Sequence, residues 1–232
     1  MEQEHATDAL IAYIGENPGI ILVTLGPMTN VALALAKAPH IARNVSRCVV
    51  MGGAANAVGN ITPAAEYNIW CDPEAASICL RSGLPIEMVG WELCRGDANL
   101  TEANMQYYKT EIQTVLAEFT IDCNASALKT NQTWMGDPGI GLPDPVAMAI
   151  AIDPLLCTKL TQCYVEIECN GTFTRGMTVV DKLNVTANNA QNMEGHKSLQ
   201  DGKLPVKVCW ELDISGWKAL LEKCVRTPVV HQ

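Results

Sequence analysis

The sequence has few charged residues, and those it has are mostly acidic. Only 18% of its 232 residues are charged, whereas 48% are hydrophobic. Disordered chains combine low hydrophobicity with high charge, so this composition excludes that class. The 16 Lys and Arg residues are outnumbered by 25 Asp and Glu residues, which gives a net charge of −9. Because nucleic acids and anionic membranes attract basic surfaces, neither is an expected partner.

Signals for membrane insertion and export are also missing from the sequence. It contains no run of 18 or more apolar residues, so no transmembrane helix is expected. Its first residues, MEQEHATDAL, form neither the basic nor the apolar region of a signal peptide. The localisation is left unknown, and a cytoplasmic protein is expected unless other features favour secretion.

Cysteine is abundant, but its spacing is uninformative. None of the ten cysteines forms a CxxC pair, so the sequence predicts neither a zinc site nor a redox motif. Asn-X-Ser/Thr acceptor patterns exceed the number expected by chance, at Asn44, Asn60, Asn99, Asn124, Asn131, Asn170 and Asn184. Together with the cysteines, this excess leaves open a secreted parent protein whose signal peptide is absent here. Whether the cysteines form disulfides is also left open.

Short apolar runs alternate with helical segments in the first half of the chain. Residues 20–25, 45–51 and 86–90 predict buried parallel strands. Thr29 is predicted to cap one helix, and Asp72 to cap a second helix that begins with proline. This alternation predicts an α/β fold with a mostly parallel open sheet flanked by helices.

The second half of the chain predicts a mixture of helices and strands. Residues 101–128 and 146–152 are predicted to be helical, strands are expected from residue 163 onward, and an amphipathic helix is expected near the end. No repeat, linker or low-complexity segment interrupts the chain. A single domain over residues 1–232 is therefore predicted.

Two of the predicted strands end in unusual loops, which begin LGPMTN at residue 25 and MGGAANAVGNITPAAEYNIWCDPEAA at residue 51. Ligands of parallel sheets bind beyond the carboxyl ends of the strands. The second loop carries Asn60, Glu66 and Asn68, one carboxylate and two amides. Such groups supply both the donors and the acceptors that sugar hydroxyls need. The pattern predicts a site for a polyhydroxyl ligand, with a polar surface loop as the alternative.

These two loops closely resemble the inosine-uridine preferring nucleoside hydrolase family, whose members cleave the N-glycosidic bond of ribonucleosides. The segment DPVAMAIAIDP, residues 144–154, resembles the C-terminal motif of that family. The likeness extends over essentially the whole chain. It implies a nucleoside hydrolase-like α/β fold, a ribonucleoside substrate and a calcium cofactor.

The resemblance also implies roles for individual residues. Met51 matches a residue that lines the ribose site, Asn60 and Glu66 match residues that hold the 5′-hydroxyl, and Asn68 matches one that contacts the 2′/3′ diol. Tyr67 takes the place of an aromatic residue near the sugar.

Two further positions match calcium ligands of the family. They are Leu25, through its main-chain carbonyl, and Asp144, through its carboxylate. Calcium prefers oxygen ligands of these kinds.

The sequence departs from the family pattern in two places. It contains no DxDxxxDD motif, which in the family supplies most metal ligands and the aspartate proposed as the general base. The resemblance therefore implies a chain that is truncated at its N-terminus, lacks the first strands of the sheet and has its base upstream. Pro143 stands where one branch of the family has a proton-donating histidine. Trp91 and Trp134 are candidates for stacking on a base, although packing in the core or at the rim of the site is the favoured alternative for both. Asp97 is a candidate for a role in the pocket.

The function implied is that of a ribonucleoside N-ribohydrolase, which releases a free base and ribose. This chain alone is expected to be impaired, because the metal motif is missing. The alternatives are a truncated, non-catalytic isoform and a module that binds ribose or a nucleoside. An oligomer of identical chains is left open, and the sequence does not predict the preferred base.

Overall fold

A mostly parallel sheet organises the chain in the computed structural model, which describes residues 4–185 and 204–227. The strands in those residues are β1 (Ile20–Thr24), β2 (Val45–Met51), β3 (Ile86–Val89), β4 (Leu100–Thr101), β5 (Gly139–Ile140), β6 (Cys157–Cys163), β7 (Val165–Ile167), β8 (Thr178–Val180) and β9 (Val206–Leu212). The largest sheet has the order β1-β2-β3-β9-β6, and its first four strands are parallel. The predicted α/β class is confirmed.

Helices connect the parallel strands, as the alternating pattern predicts. The α-helices of the described residues are α1 (Ala6–Glu16), α2 (Thr29–Lys37), α3 (Tyr67–Cys71), α4 (Pro73–Leu80), α5 (Glu102–Tyr107), α6 (Val115–Thr130), α7 (Pro143–Ile152) and α8 (Ile214–Arg226). Of these, α2 connects β1 to β2, and α3 and α4 connect β2 to β3. In the part of the chain that the structure describes, no helix is long and apolar enough to cross a bilayer.

The described residues fall into two compact units. One unit comprises the described residues within Met1–Glu92 and Lys159–Trp210. The other comprises the described residues within Leu93–Thr158 and Glu211–Gln232. The first unit contains β1, β2 and β3 together with α1 to α4, and the second contains α5 to α8 with the antiparallel pair of β4 and β5. A single domain over the whole chain stays a prediction.

The central strands of the sheet are buried on both faces. All four residues of β3 are buried, and Cys48 and Val49 of β2 are fully buried. A strand that is covered on both faces gains free energy from an apolar side chain at every position, not at every second one. This explains why the strands appear in the sequence as continuous apolar runs.

An ion cluster around the buried Glu87 links three neighbouring strands. Glu87 of β3 accepts hydrogen bonds from Arg47 of β2 at 2.7 Å and from Lys207 of β9 at 3.1 Å. Burial alone would raise the pKa of Glu87, but the hydrogen bonds and charges of Arg47 and Lys207 outweigh it and lower the pKa. The carboxylate is therefore ionised and fully paired between two cations.

Several local predictions are wrong. Thr29 does not cap α2, because Met28 occupies the cap position and the Thr29 hydroxyl donates to the carboxylate of Asp72 instead. The helix predicted over residues 101–128 is interrupted at Gln113, which has a φ of 53°. Strand β6 was not predicted, because five consecutive residues of this strand are exposed and its sequence, CTKLTQC, has no apolar run.

The charge of Glu87 should stabilise the fold. We expect Glu87→Ala to lower the free energy of unfolding by about 2 kcal/mol at neutral pH, because two cations lose their partner. The folded-state pKa of Glu87 is lowered, so its contribution is complete above the unfolded-state pKa and is lost as the pH falls through the folded-state pKa. Urea denaturation at several pH values measures both effects.

A matched control is Glu74→Ala, which removes an exposed ion pair with Arg175. It should cost clearly less stability than Glu87→Ala, because water and salt screen an exposed ion pair. Equal losses for the two variants would contradict the structural role assigned to Glu87.

Candidate functional site

The loop after β2 makes a sharp turn at two glycines. Gly52 donates to the carbonyl of Val89 at 3.2 Å, which keeps the loop beside the end of β3. Gly53 has a φ of +83°, and a Cβ atom there would lie 2.7 Å from the Thr178 hydroxyl. Only glycine fits this turn without strain, because an L side chain rarely adopts that φ and would also collide.

Glu66 ties the start of this loop to its end. Its side chain is buried, and one oxygen accepts hydrogen bonds from the amides of Gly53 at 2.9 Å and Ile69 at 3.2 Å. The other oxygen accepts from the amide of Asn68 at 2.9 Å. Glu66 is therefore the N-cap of α3 as well as a brace across the loop.

The two amide side chains complete the same cluster. Asn60 accepts a hydrogen bond from the amide of Tyr67 at 2.8 Å through its Oδ1 atom. Asn68 donates through Nδ2 to the carbonyl of Met51 at 3.3 Å and to its sulfur at 3.1 Å. The structure thus brings Met51, Asn60, Glu66 and Asn68 together around the first turn of α3.

Part of the hydrogen-bonding capacity of this cluster is unused. Among the described residues, none pairs with the Nδ2 donor of Asn60 or with the Oδ1 acceptor of Asn68. Asn60 is an exposed residue and Asn68 a half-buried one. The neighbouring residue Tyr67 is 52% exposed. A free donor and a free acceptor are groups with which a sugar hydroxyl can pair.

Leu25 lies next to this cluster along the sheet edge. Thr24 at the end of β1 pairs with Val50 of β2, so Leu25 follows at the level of Met51. The hydroxyl of Thr24 is buried and has no hydrogen-bond partner among the described residues. The carboxyl ends of β1 and β2 therefore place the two predicted loops side by side, as expected for a parallel pair.

Asp144 lies in the other compact unit, in the first turn of α7. Its carboxyl is half-buried, and burial raises its pKa. The convergence of Asp144 with Leu25 and the loop after β2 stays a prediction.

The described residues do not form a site for the calcium ion that the resemblance implies. They contain no group of three or more His, Cys, Asp and Glu side chains that could hold a metal ion. One carbonyl from Leu25 and one carboxylate from Asp144 fall far short of the six to eight oxygens that calcium takes. These residues on their own do not fit the cofactor.

The remaining aromatic and acidic candidates are Trp91, Asp97 and Trp134. Trp91 is buried and donates through its indole nitrogen to the carbonyl of Val58 at 2.9 Å. It therefore packs as part of the structure that holds the loop after β2. Asp97 is exposed in a short helical turn of the other unit. The side chain of Trp134 lies outside the described residues.

Sequence reasoning missed three residues that hold the loop in place. Thr178 accepts from the amide of Ala54 at 3.3 Å, Lys182 donates to the Asn56 side chain at 2.6 Å, and Glu92 accepts from the amides of Ala55 and Asn56. Their only sequence signal is a polar residue at or just beyond a strand. That signal is too common to single them out.

The turn at Gly53 should be sensitive to substitution. We expect Gly53→Ala to lower the free energy of unfolding by roughly 1–3 kcal/mol, because the new methyl group meets Thr178 at a positive φ. The control Gly15→Ala lies in α1 with nothing within 4 Å of the added Cβ, and it should be neutral or stabilising by up to about 1 kcal/mol. Thermal unfolding separates the two, and similar melting temperatures would refute the strained turn.

Comparison with known proteins supports the family that the sequence resembles. The model of a family described as inosine-uridine preferring nucleoside hydrolase matches residues 1–218. The pyrimidine-specific ribonucleoside hydrolase RihA of Shewanella woodyi is 35% identical over 213 residues, which are 90% of this chain and 61% of that relative. This chain therefore spans less than two thirds of that relative's length.

Solved structures show the same fold. The plant nucleoside hydrolase PpNRh1 superimposes with a TM-score of 0.86 and 28% identity, over 97% of this chain and 68% of that one. The purine-preferring ribonucleoside hydrolase from Gardnerella vaginalis gives a TM-score of 0.78 and 30% identity, over 97% and 66%. The chain belongs to the inosine-uridine preferring nucleoside hydrolase family.

Proposed function

We propose that this chain carries the sugar-binding part of a ribonucleoside hydrolase, an enzyme that releases a free base and ribose. The observation that supports this most is the hydrogen-bonded cluster of Met51, Asn60, Glu66 and Asn68 at the carboxyl end of β2. One relative is named for pyrimidine nucleosides and one for purine nucleosides. What those two substrate classes share is the ribose, so ribose is the substrate part that we assign to this site.

The cluster suits ribose because its side chains are fixed before a ligand arrives. Glu66 holds the first turn of α3, and the carbonyl and sulfur of Met51 fix the Asn68 amide. The free donor on Asn60 and the free acceptor on Asn68 then face the ligand without a further loss of side-chain entropy. Such preorganisation is the main way in which positioning groups contribute to catalysis.

Hydrolysis of a nucleoside also needs groups that act on water and on the base. The water oxygen forms a bond to C1′ and loses a proton, while the C1′–N bond breaks and its electron pair leaves with the base. No DxDxxxDD motif is present in this sequence, and Pro143 cannot donate a proton to the departing base. We propose that the general base and most ligands of the calcium cofactor come from outside residues 1–232.

Leu25 and Asp144 would then be the contribution of this chain to the calcium site. The Asp144 carboxylate is half-buried in the first turn of α7, and burial raises its pKa. The alternative function is that of a module that binds ribose or a nucleoside without cleaving it. This alternative is favoured by the cluster of Met51, Asn60, Glu66 and Asn68, which is formed in a chain that lacks the DxDxxxDD motif.

The chain alone should hydrolyse nucleosides negligibly. General-base assistance is typically worth about 10²–10⁴-fold in rate, and this sequence lacks the residues that would provide it. A reducing-sugar assay on residues 1–232 with inosine or uridine and added calcium should match the protein-free control. Ribose release that appears on co-expression with the Asp-rich N-terminal segment of a relative would support the proposal.

The opposite outcome is equally clear. Robust ribose release by the chain alone that disappears in Asp144→Ala would contradict the proposal. It would mean that a general base lies within these residues, with Asp97 as the first candidate.

A further inference from the structure

Glu92 hydrogen-bonds to the main chain of the loop after β2, which carries the proposed sugar site. It stands three residues beyond the end of β3, and its Oε1 atom accepts hydrogen bonds from the amides of Ala55 at 3.1 Å and Asn56 at 3.0 Å. The carboxylate folds back over Gly90, where a Cβ atom would lie 2.4 Å from Oε2. A glycine at that position therefore makes room for the carboxylate.

The second oxygen of Glu92 is in an unfavourable environment. Its Oε2 atom is buried and has no hydrogen-bond partner among the described residues. Burial raises the pKa of Glu92, although the amides of Asn56 and Ala55 and the charge of Lys182 act in the opposite direction. A buried carboxylate with an unpaired oxygen costs folding free energy, so overall stability does not account for a charged residue here.

Neighbouring residues hold the same stretch of loop. Trp91 donates through its main-chain amide to the carbonyl of Gly53 at 3.1 Å and through its ring to the carbonyl of Val58 at 2.9 Å. Lys182 holds the side chain of Asn56 while Glu92 holds its amide. Residues 53–58 are thus fixed along their length, and Asn60 follows two residues later.

We propose that Glu92 is a positioning residue of the sugar site, which fixes residues 55 and 56 so that Asn60 meets Glu66 and Asn68 in a ligand-ready arrangement. This inference rests on the function proposed above. Glu92 does not contact the ligand, and its effect on binding passes through the loop. The loop connects it to the site directly, because only three residues separate Asn56 from Asn60.

The test compares Glu92→Ala and Glu92→Gln with the exposed control Glu16→Ala. Two quantities are measured on the full chain by NMR: the hydrogen-exchange rates of the Ala55 and Asn56 amides, and the Kd for free ribose. Glu92→Ala should accelerate both exchange rates and weaken ribose binding by roughly tenfold or more, because bonds to a charged acceptor are lost.

Glu92→Gln keeps an acceptor oxygen in the same place and should restore slow exchange and ribose binding to within a few-fold of the parent. The melting temperature of Glu92→Ala should not fall in proportion to its binding loss, since a buried unpaired oxygen has been removed. Glu16→Ala should leave the exchange rates, the ribose affinity and the melting temperature unchanged.

Two outcomes would overturn the inference in distinguishable ways. If the parent binds ribose and Glu92→Ala binds it equally well, the role of Glu92 is wrong while the sugar site stands. If the parent does not bind ribose, the proposed sugar site is wrong, and so is the role of Glu92 in it.

Discussion

The buried carboxylate of Glu66 is the interaction on which the loop after β2 depends. With three backbone amides as donors, from Gly53, Asn68 and Ile69, it closes the loop and starts α3 at the same time. Burying a carboxylate is favourable only when its oxygens are hydrogen-bonded, so this arrangement holds the turn and the helix in one geometry. The amide side chains that we assign to ribose are arranged around this point.

The parallel sheet decides where that loop can act. The register of β1 with β2 brings Leu25 to the level of Met51. The segment after β3 adds Trp91 and Glu92, which hydrogen-bond to the main chain of residues 53–58. Three consecutive strand ends therefore build one edge. Residues with no place in the proposed chemistry determine how firmly the ligand-binding side chains are held.

The sequence predicts the elements well and their contacts poorly. Strand β2 begins and ends where its apolar run does, and Asp72 caps α4 as its position before proline indicates. The Thr29 cap is wrong because its hydroxyl finds a partner 43 residues away. The amide of Ala54 is bonded to Thr178, 124 residues along the chain. Periodicity and capping rules describe neighbours in sequence and carry no information on such distant pairs.

The site residues were assigned through the family resemblance, and the structure adds how the loop holds them. Their central role can be tested by titrating the chain with ribose and following the side-chain amide resonances of Asn60 and Asn68. We expect both to shift on binding, and we expect binding to weaken in Asn68→Ala but not in Asn170→Ala, an exposed control on a turn. Unchanged ribose affinity in Asn68→Ala would contradict the account.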